Sequence, residues 1–324
     1  MSDALCDLPA GGRWDFGGFA YGLEPLVLPP VGTLDTAAED PAGAASAGAY
    51  AEICERMRAL GEPDALTSDV GPCKEPDELF WFRWITGHQV CFVVWRLIGQ
   101  LLEDVDQGRR APDEIVEPVC QYVDAYSAML LYTGSCPPDV YNVLIRPSMR
   151  LRHRAFSGSW APDYWPIRDL FRRRQLSSMW STDADELLDS LALLHLVHDG
   201  VAARLVANGK SLLREAAVRG PNHRLGWMIY DSYFMTLRAP VPRHEVVAQL
   251  LRRLVAIVQD IVANGLYSPD DKDERPAEMQ AAEVITCENR LIDIVVAMAR
   301  FACELDDGRI SPLRPTAVNS TAEV

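Results

Sequence analysis

The chain has 324 residues, 48% of them hydrophobic, and a formal net charge of −15, a composition that can bury a large core without disulfides. A surface this acidic repels phosphate, which excludes nucleic acid as the expected partner and disfavours an anionic membrane. No window of 18 uncharged apolar residues occurs, and the N-terminus has no basic segment followed by an apolar run, so neither a membrane span nor a secretory signal is expected and the expected compartment is the cytoplasm.

Residues 1–75 read as an extended arm punctuated by Gly11-Gly12, Gly17-Gly18 and Pro29-Pro30, with one short helix expected from about Ala49 to Ala59. Trp14, Phe16, Phe19, Tyr21, Leu26 and Leu28 are too many large apolar groups for a solvated tail, so the arm is expected to lie over the body or over a neighbouring subunit. From Pro76 the pattern is helical. Pro76-Asp77-Glu78 opens a first helix running to about Glu103. A second is expected from Pro112 to Tyr132, with Pro118 kinking it or delaying its start. Residues 140–180, rich in Arg, Trp and Pro, read as short helices and loops. Further helices are expected over Thr182–Ala207, from about Pro221, over Pro242–Asn264 and over Arg275–Leu305, followed by a polar tail. No strand alternation follows residue 76 and no repeat is found, so the fold class is all-α, divided into the arm (1–75), a helical bundle (76–307) and a tail (308–324). The eight cysteines include no CxxC pair and no zinc-ligand spacing, which points to reduced thiols.

Two helices carry the same pattern. Trp81, Trp84, His88, Cys91, Trp95, Ile98 and Leu102 fall on one face of the first long helix, with His88 near the centre. Leu187, Leu191, Leu194, His198, Val201 and Leu205 form a similar stripe on the third, with His195 on its flank. An imidazole inside an apolar seam costs desolvation unless something bonds it. One reading is a pair of satisfied core histidines. The other is a flat heme held between long helices, one histidine ligating the iron and one over the opposite face. The CxxCH attachment motif is absent, so the expected cofactor, heme b, would be held non-covalently or attached in an unconventional way.

The segment from Asp77-Glu78 through His88-Gln89 to Trp95 resembles the distal-helix signature of the tryptophan 2,3-dioxygenase family, although Phe92 stands where that signature has glutamate. With the arm and the Ile145-Arg146-Pro147-Ser148-Met149 run, the layout is most similar to the heme-dependent L-tyrosine 3-hydroxylases of natural-product biosynthesis, within the same heme-dependent aromatic oxygenase superfamily. The resemblance implies a heme-dependent monooxygenase that converts L-tyrosine or a close aromatic amino acid to its 3-hydroxy product, L-DOPA, in antibiotic biosynthesis. It also implies a homodimer or larger homo-oligomer. Hydrogen peroxide is the expected oxidant, with O₂ the alternative.

Residue by residue, the resemblance makes His88 the distal catalytic histidine and Trp84 a wall of the substrate pocket. His198, with Arg204 six residues on, matches the proximal heme-ligand segment, and His195 and then His223 are the alternative ligands. Arg146 and Arg150 stand where an arginine of the dioxygenases binds the substrate carboxylate, and either also suits a heme propionate. Ortho-hydroxylation of a phenol needs an activated oxidant and a group that holds or moves the phenolic proton, a task for a neutral imidazole. The competing readings are an indole-cleaving dioxygenase, a bis-histidine heme-binding or sensing protein, and a heme-free scaffold. Tyrosine, 3-methyltyrosine and tryptophan derivatives are not separated by the sequence.

Overall fold

The computed structural model describes residues 14–31, 70–172, 185–206, 210–216, 221–267 and 275–306. The helix expected near Ala49–Ala59 and the tail from 308 lie outside these residues. Among the described residues the eight longest helices are α1 (Pro76–Asp106), α2 (Pro112–Thr133), α3 (Arg146–Arg152), α4 (Asp185–Leu205), α5 (His223–Tyr233), α6 (Arg243–Asn264), α7 (Ala282–Asn289) and α8 (Leu291–Asp306). The architecture is all-α apart from one short ladder. In it, β1 (Leu26–Leu28) pairs parallel with β2 (Thr236–Arg238), in the register Leu26 to Thr236. That ladder corrects the expectation of no strand after residue 76. Three-residue strands are too short to show an alternation.

Helix α2 is the hub and packs against α1, α4, α7 and α8, while α6 closes against α1 and α8. Pro112 and the acids Asp113 and Glu114 start it, and Glu114 Oε2 accepts the Ala111 N–H at 2.9 Å. Pro118 sits inside α2 and neither delays nor ends it. Helix α1 is also opened by proline and two acids, and 18 of its 31 residues are buried, so it is enclosed on more than the one predicted face. Gly87 sets how closely the two approach, since a Cβ there would collide with Thr133 and Tyr132 of α2.

A buried ion pair locks the bundle. Arg83 of α1 forks onto Asp260 of α6, Nε to Oδ2 at 2.7 Å and Nη2 to Oδ1 at 3.0 Å. Its Nη1 donates to Ser135 Oγ and the Leu266 carbonyl, and Tyr132 Oη of α2 donates to Asp260 Oδ2 at 2.7 Å. Both charges are out of water, so the pair holds only because nearly every lone pair and proton is used. The arm residues 14–31 lie on this same core, with Phe16, Leu26 and Leu28 buried and Gln249 of α6 bonding both polar groups of Val27.

Two boundaries differ from expectation. The helix expected over Arg275–Leu305 is a 3₁₀ turn (Ala277–Gln280) followed by α7 and α8, broken at Arg290 (φ −101°, ψ 13°); Asn289 just before it is a weak helix former. Arg146 precedes a proline yet is helical (φ −60°, ψ −44°). A π turn (Tyr141–Ile145) comes immediately before, and Arg146 N–H bonds the Tyr141 carbonyl five residues back. That wider turn shifts the ladder and accommodates Pro147 without a kink.

Candidate active site

His88 leaves the middle of α1 into an aromatic shell. Its Nδ1 lies 2.7 Å from the Trp84 carbonyl, one helical turn back. A carbonyl only accepts, so Nδ1 carries the proton and Nε2 keeps its lone pair. Phe234 stacks on the ring at 4.6 Å and 19°, Trp84 leans on it at 4.3 Å, and Phe92 meets it edge-on at 6.5 Å. The ring keeps a sliver of accessible surface, but the packing around it is dense enough that burial pushes its pKa down to about 4, against a smaller upward pull from the Trp84 carbonyl. His88 is therefore neutral at pH 7, and Nε2 makes no hydrogen bond among the described residues.

The shell extends to other elements. Trp84 packs against Tyr141 of the π turn, and Tyr233, at the end of α5, packs against Phe234, Trp81 and Phe156. Tyr233 Oη bonds Ser148 Oγ of α3 at 2.8 Å, and burial pushes its pKa up to about 12. Trp84 Nε1 is buried without a partner; the Tyr233 hydroxyl lies near it but does not meet bonding geometry. Beside this shell a cleft of about 290 Å³ is lined by Asp77, Glu78, Trp81, Leu144 and Ser148. Only Tyr233 and Phe234 intervene along the contacts from Ser148 to His88.

The remaining sequence-predicted residues lie elsewhere or hold other partners. Arg146 reaches the shell through Tyr141, whose pKa rises by burial and is drawn back by the Arg146 charge and a hydrogen bond from it. The same guanidinium bonds the Lys210 carbonyl and Glu215 Oε1, each at 2.8 Å. Arg150 is exposed in the last turn of α3. Arg204 caps the end of α2, donating to the carbonyls of Gly134 and Cys136 at 2.5 and 2.9 Å. His198 is exposed, 62% for its side chain, with Nδ1 3.3 Å from Asp199. His195 is also exposed, its Nε2 2.9 Å from the Phe171 carbonyl. His223 starts α5 exposed, edge-on to Trp165.

The predicted α4 stripe is buried at Leu187, Leu191, Leu194 and Leu205 but fails at its histidine. Its inward positions are Leu187, Ser190, Leu191, Leu194, Val197, Gly200 and Leu205. Val197 takes the inward place at that turn, and His198 lies at the edge of the row, in solvent. Moreover α4 packs on α2 rather than on α1, so the two histidine rows do not face each other across a common slot. Sequence reasoning missed Phe234, Tyr233, Tyr141 and Gln89. Tyr230 and Phe234 were visible as an aromatic row, but nothing local ties that row to His88.

Residues 32–190 match the family described as SfmD 3-methyl-L-tyrosine peroxygenase. The matched segment is just under half of the chain and carries Trp84, His88, Arg146 and Arg150, but ends before His195, His198 and Arg204. The chain is similar to that family over the segment that carries His88, Trp84 and Phe92, while Phe234 and Tyr233 of the shell lie beyond it; the match supports an enzyme of the peroxygenase type. No curated protein matches the chain.

The donor chemistry fits a heme in part. An imidazole tethered by Nδ1–H to a carbonyl, with Nε2 bare, is the tautomer that serves an iron or a group bound to it. The Trp84 N–H, which completes no hydrogen bond among the described residues although the Tyr233 hydroxyl lies near, is a further donor. On α4, His198 beside Asp199 has the carboxylate–imidazole pairing that stands behind many metal-bound histidines. No cluster of three or more His, Cys, Asp or Glu able to hold a bare metal ion occurs among the described residues.

Proposed function

We propose that this chain is a heme-dependent monooxygenase that hydroxylates L-tyrosine, or a close ring-substituted relative such as 3-methyl-L-tyrosine, with hydrogen peroxide. For L-tyrosine one ring C–H becomes C–OH, giving L-DOPA, and the second peroxide oxygen leaves as water. The observation that carries the reading is His88: a neutral imidazole of fixed tautomer, enclosed by aromatic rings and itself lying in the segment that resembles a peroxygenase family.

Heme, which His198 or, failing it, His195 would hold, would supply the oxidising power drawn from peroxide; both are exposed on α4 and would have to be brought toward His88 when the group binds. The protein's own groups do the rest. His88 Nε2 accepts the phenolic hydrogen bond and so fixes which ring carbon is presented; its low pKa means that a proton taken there is passed on, not kept. Trp84 and Phe234 exclude water from that contact. The Arg146 guanidinium, already placed against Tyr141, binds the substrate carboxylate in exchange for its half-exposed partner Glu215. Asp77 and Glu78 at the cleft suit the substrate ammonium group.

The test is an optical titration of heme-loaded protein with L-tyrosine and with 3-methyl-L-tyrosine, followed by peroxide and mass analysis of products. A Soret band that shifts with one substrate, and that substrate gaining one oxygen, is expected. A protein that takes up no heme after supplementation, or that leaves both substrates unchanged, contradicts the reading.

A further inference from the structure

The residue after His88 lies on a neighbouring side of the helix and is more deeply buried than His88 itself. Gln89 is fully buried, and three of its four hydrogen-bonding positions are filled. Its Nε2 donates to the Glu24 carbonyl at 3.1 Å and to the Phe234 carbonyl at 2.9 Å, while its Oε1 accepts from Arg253 Nε at 2.9 Å. Arg253 is itself fully buried, and its other bonds go to the carbonyls of Gln249, Glu24 and Pro25. The nearby Glu24 carboxylate is held instead by Arg252 and the Gly17 N–H. Among the described residues Arg253 is thus a buried cation with no carboxylate bonded to it, unlike Arg83 on Asp260. Such a group costs stability, and an apolar residue of similar size is the cheaper way to fill the space.

A second strained feature meets it. Met235 holds a left-handed backbone (φ 53°), an unfavourable conformation for a residue with a side chain. It follows Phe234, so the carbonyl gripped by Gln89 belongs to the peptide that enters this turn. On its far side the Met235 carbonyl accepts the Leu26 N–H at 3.0 Å, where the β ladder begins. A buried amide, a buried cation and a strained turn therefore converge on one peptide, whose side chain is the ring stacked on His88.

We propose that Gln89, braced by Arg253, is a positioning residue that holds Phe234 flat against His88 and so keeps that imidazole dry and in one orientation. The catalytic consequence rests on the role proposed above for His88; the structural claim does not. If Gln89 served only to pin the arm through the Glu24 carbonyl, releasing it would leave the His88 ring unchanged.

The test is ¹⁵N-histidine NMR of the full chain between pH 4 and 8, read at His88, with peroxide-supported turnover as a separate measurement. In the natural protein His88 is expected to keep the Nδ1–H tautomer and to titrate near 4. Gln89→Met and Phe234→Leu should both move its midpoint upward toward 6.5, and Phe234→Tyr, which keeps the ring, should restore it. If Gln89→Met alone fails to fold, Gln89→Met/Arg253→Met removes both polar partners together and takes the same amide from the Phe234 carbonyl, leaving it only the longer 3.5 Å contact from Thr236 Oγ1, since replacing a bonded pair by apolar groups is far milder than orphaning one member. A His88 midpoint unchanged in the Gln89 variant, or unchanged in Phe234→Leu, overturns the proposal. If the NMR shifts appear while no variant or natural protein hydroxylates tyrosine, the positioning stands and the proposed reaction falls.

Discussion

His88 and His198 stand on two helices that both pack against α2, yet one is wrapped in Trp84, Phe92 and Phe234 and the other lies in solvent beside Asp199. The difference is one of helical phase. On α1 the ring points into a space already closed by aromatic groups from α5 and by Trp84, so desolvation fixes its charge and one carbonyl fixes its tautomer. On α4 the buried row runs through Val197 and Gly200, and the imidazole is left outside it. An enclosed histidine is prepared for chemistry by the protein itself, whereas an exposed one waits on a ligand to give it a role.

The comparison breaks most completely at the proposed heme ligand. His198→Ala should abolish heme retention, measured as Soret absorbance per chain after gel filtration, while His195→Ala retains it; the reverse pattern transfers the role to His195. The next largest effect separates His88's scaffold from either histidine. Arg83→Met leaves the Asp260 carboxylate buried without its cation, and denaturant unfolding should show a loss of about 3–5 kcal/mol. Joint replacement of Arg83 and Asp260 by apolar residues should cost markedly less.

Acid sharpens the contrast. The folded pKa of His88, about 4, lies below the ordinary 6.5, so between those values the unfolded chain binds a proton that the folded one refuses. Stability is then full above pH 6.5 and falls as pH drops toward 4. The loss assigned to His88 is about 3 kcal/mol. Comparing the unfolding free energy of the natural protein and His88→Leu at pH 7 and pH 4 should show this difference between their slopes. Smallest is the carboxylate site. Arg146→Gln should raise KM for the amino acid about tenfold with less change in kcat, as loss of a charge-assisted contact predicts. Arg150→Gln, at an exposed position, should leave both nearly unchanged.

Much of this was legible in the chain. The starts of α1, α2 and α6 follow from proline and acid signals at the head of apolar periodic runs, and those helices fall within a few residues of their expected bounds. His88 and Trp84 stand out because long apolar faces rarely carry an imidazole. What was illegible depends on distance along the chain. Phe234 lies 146 residues after His88, and no local pattern announces that their rings stack. The Arg83–Asp260 pair joins helices 177 residues apart, and a charged residue within a periodic run looks like a solvated one. On α4 the expected row is buried at both ends, and only the place of His198 at its edge was misjudged.

The most direct test is hydroxylation by heme-loaded His88→Ala beside the natural protein, each given L-tyrosine and hydrogen peroxide, with product read by mass and heme content by its Soret band. The account predicts undiminished heme and a loss of product of about 100-fold or more. Equal product from the two proteins would remove His88, and the aromatic shell built around it, from the centre of the reaction.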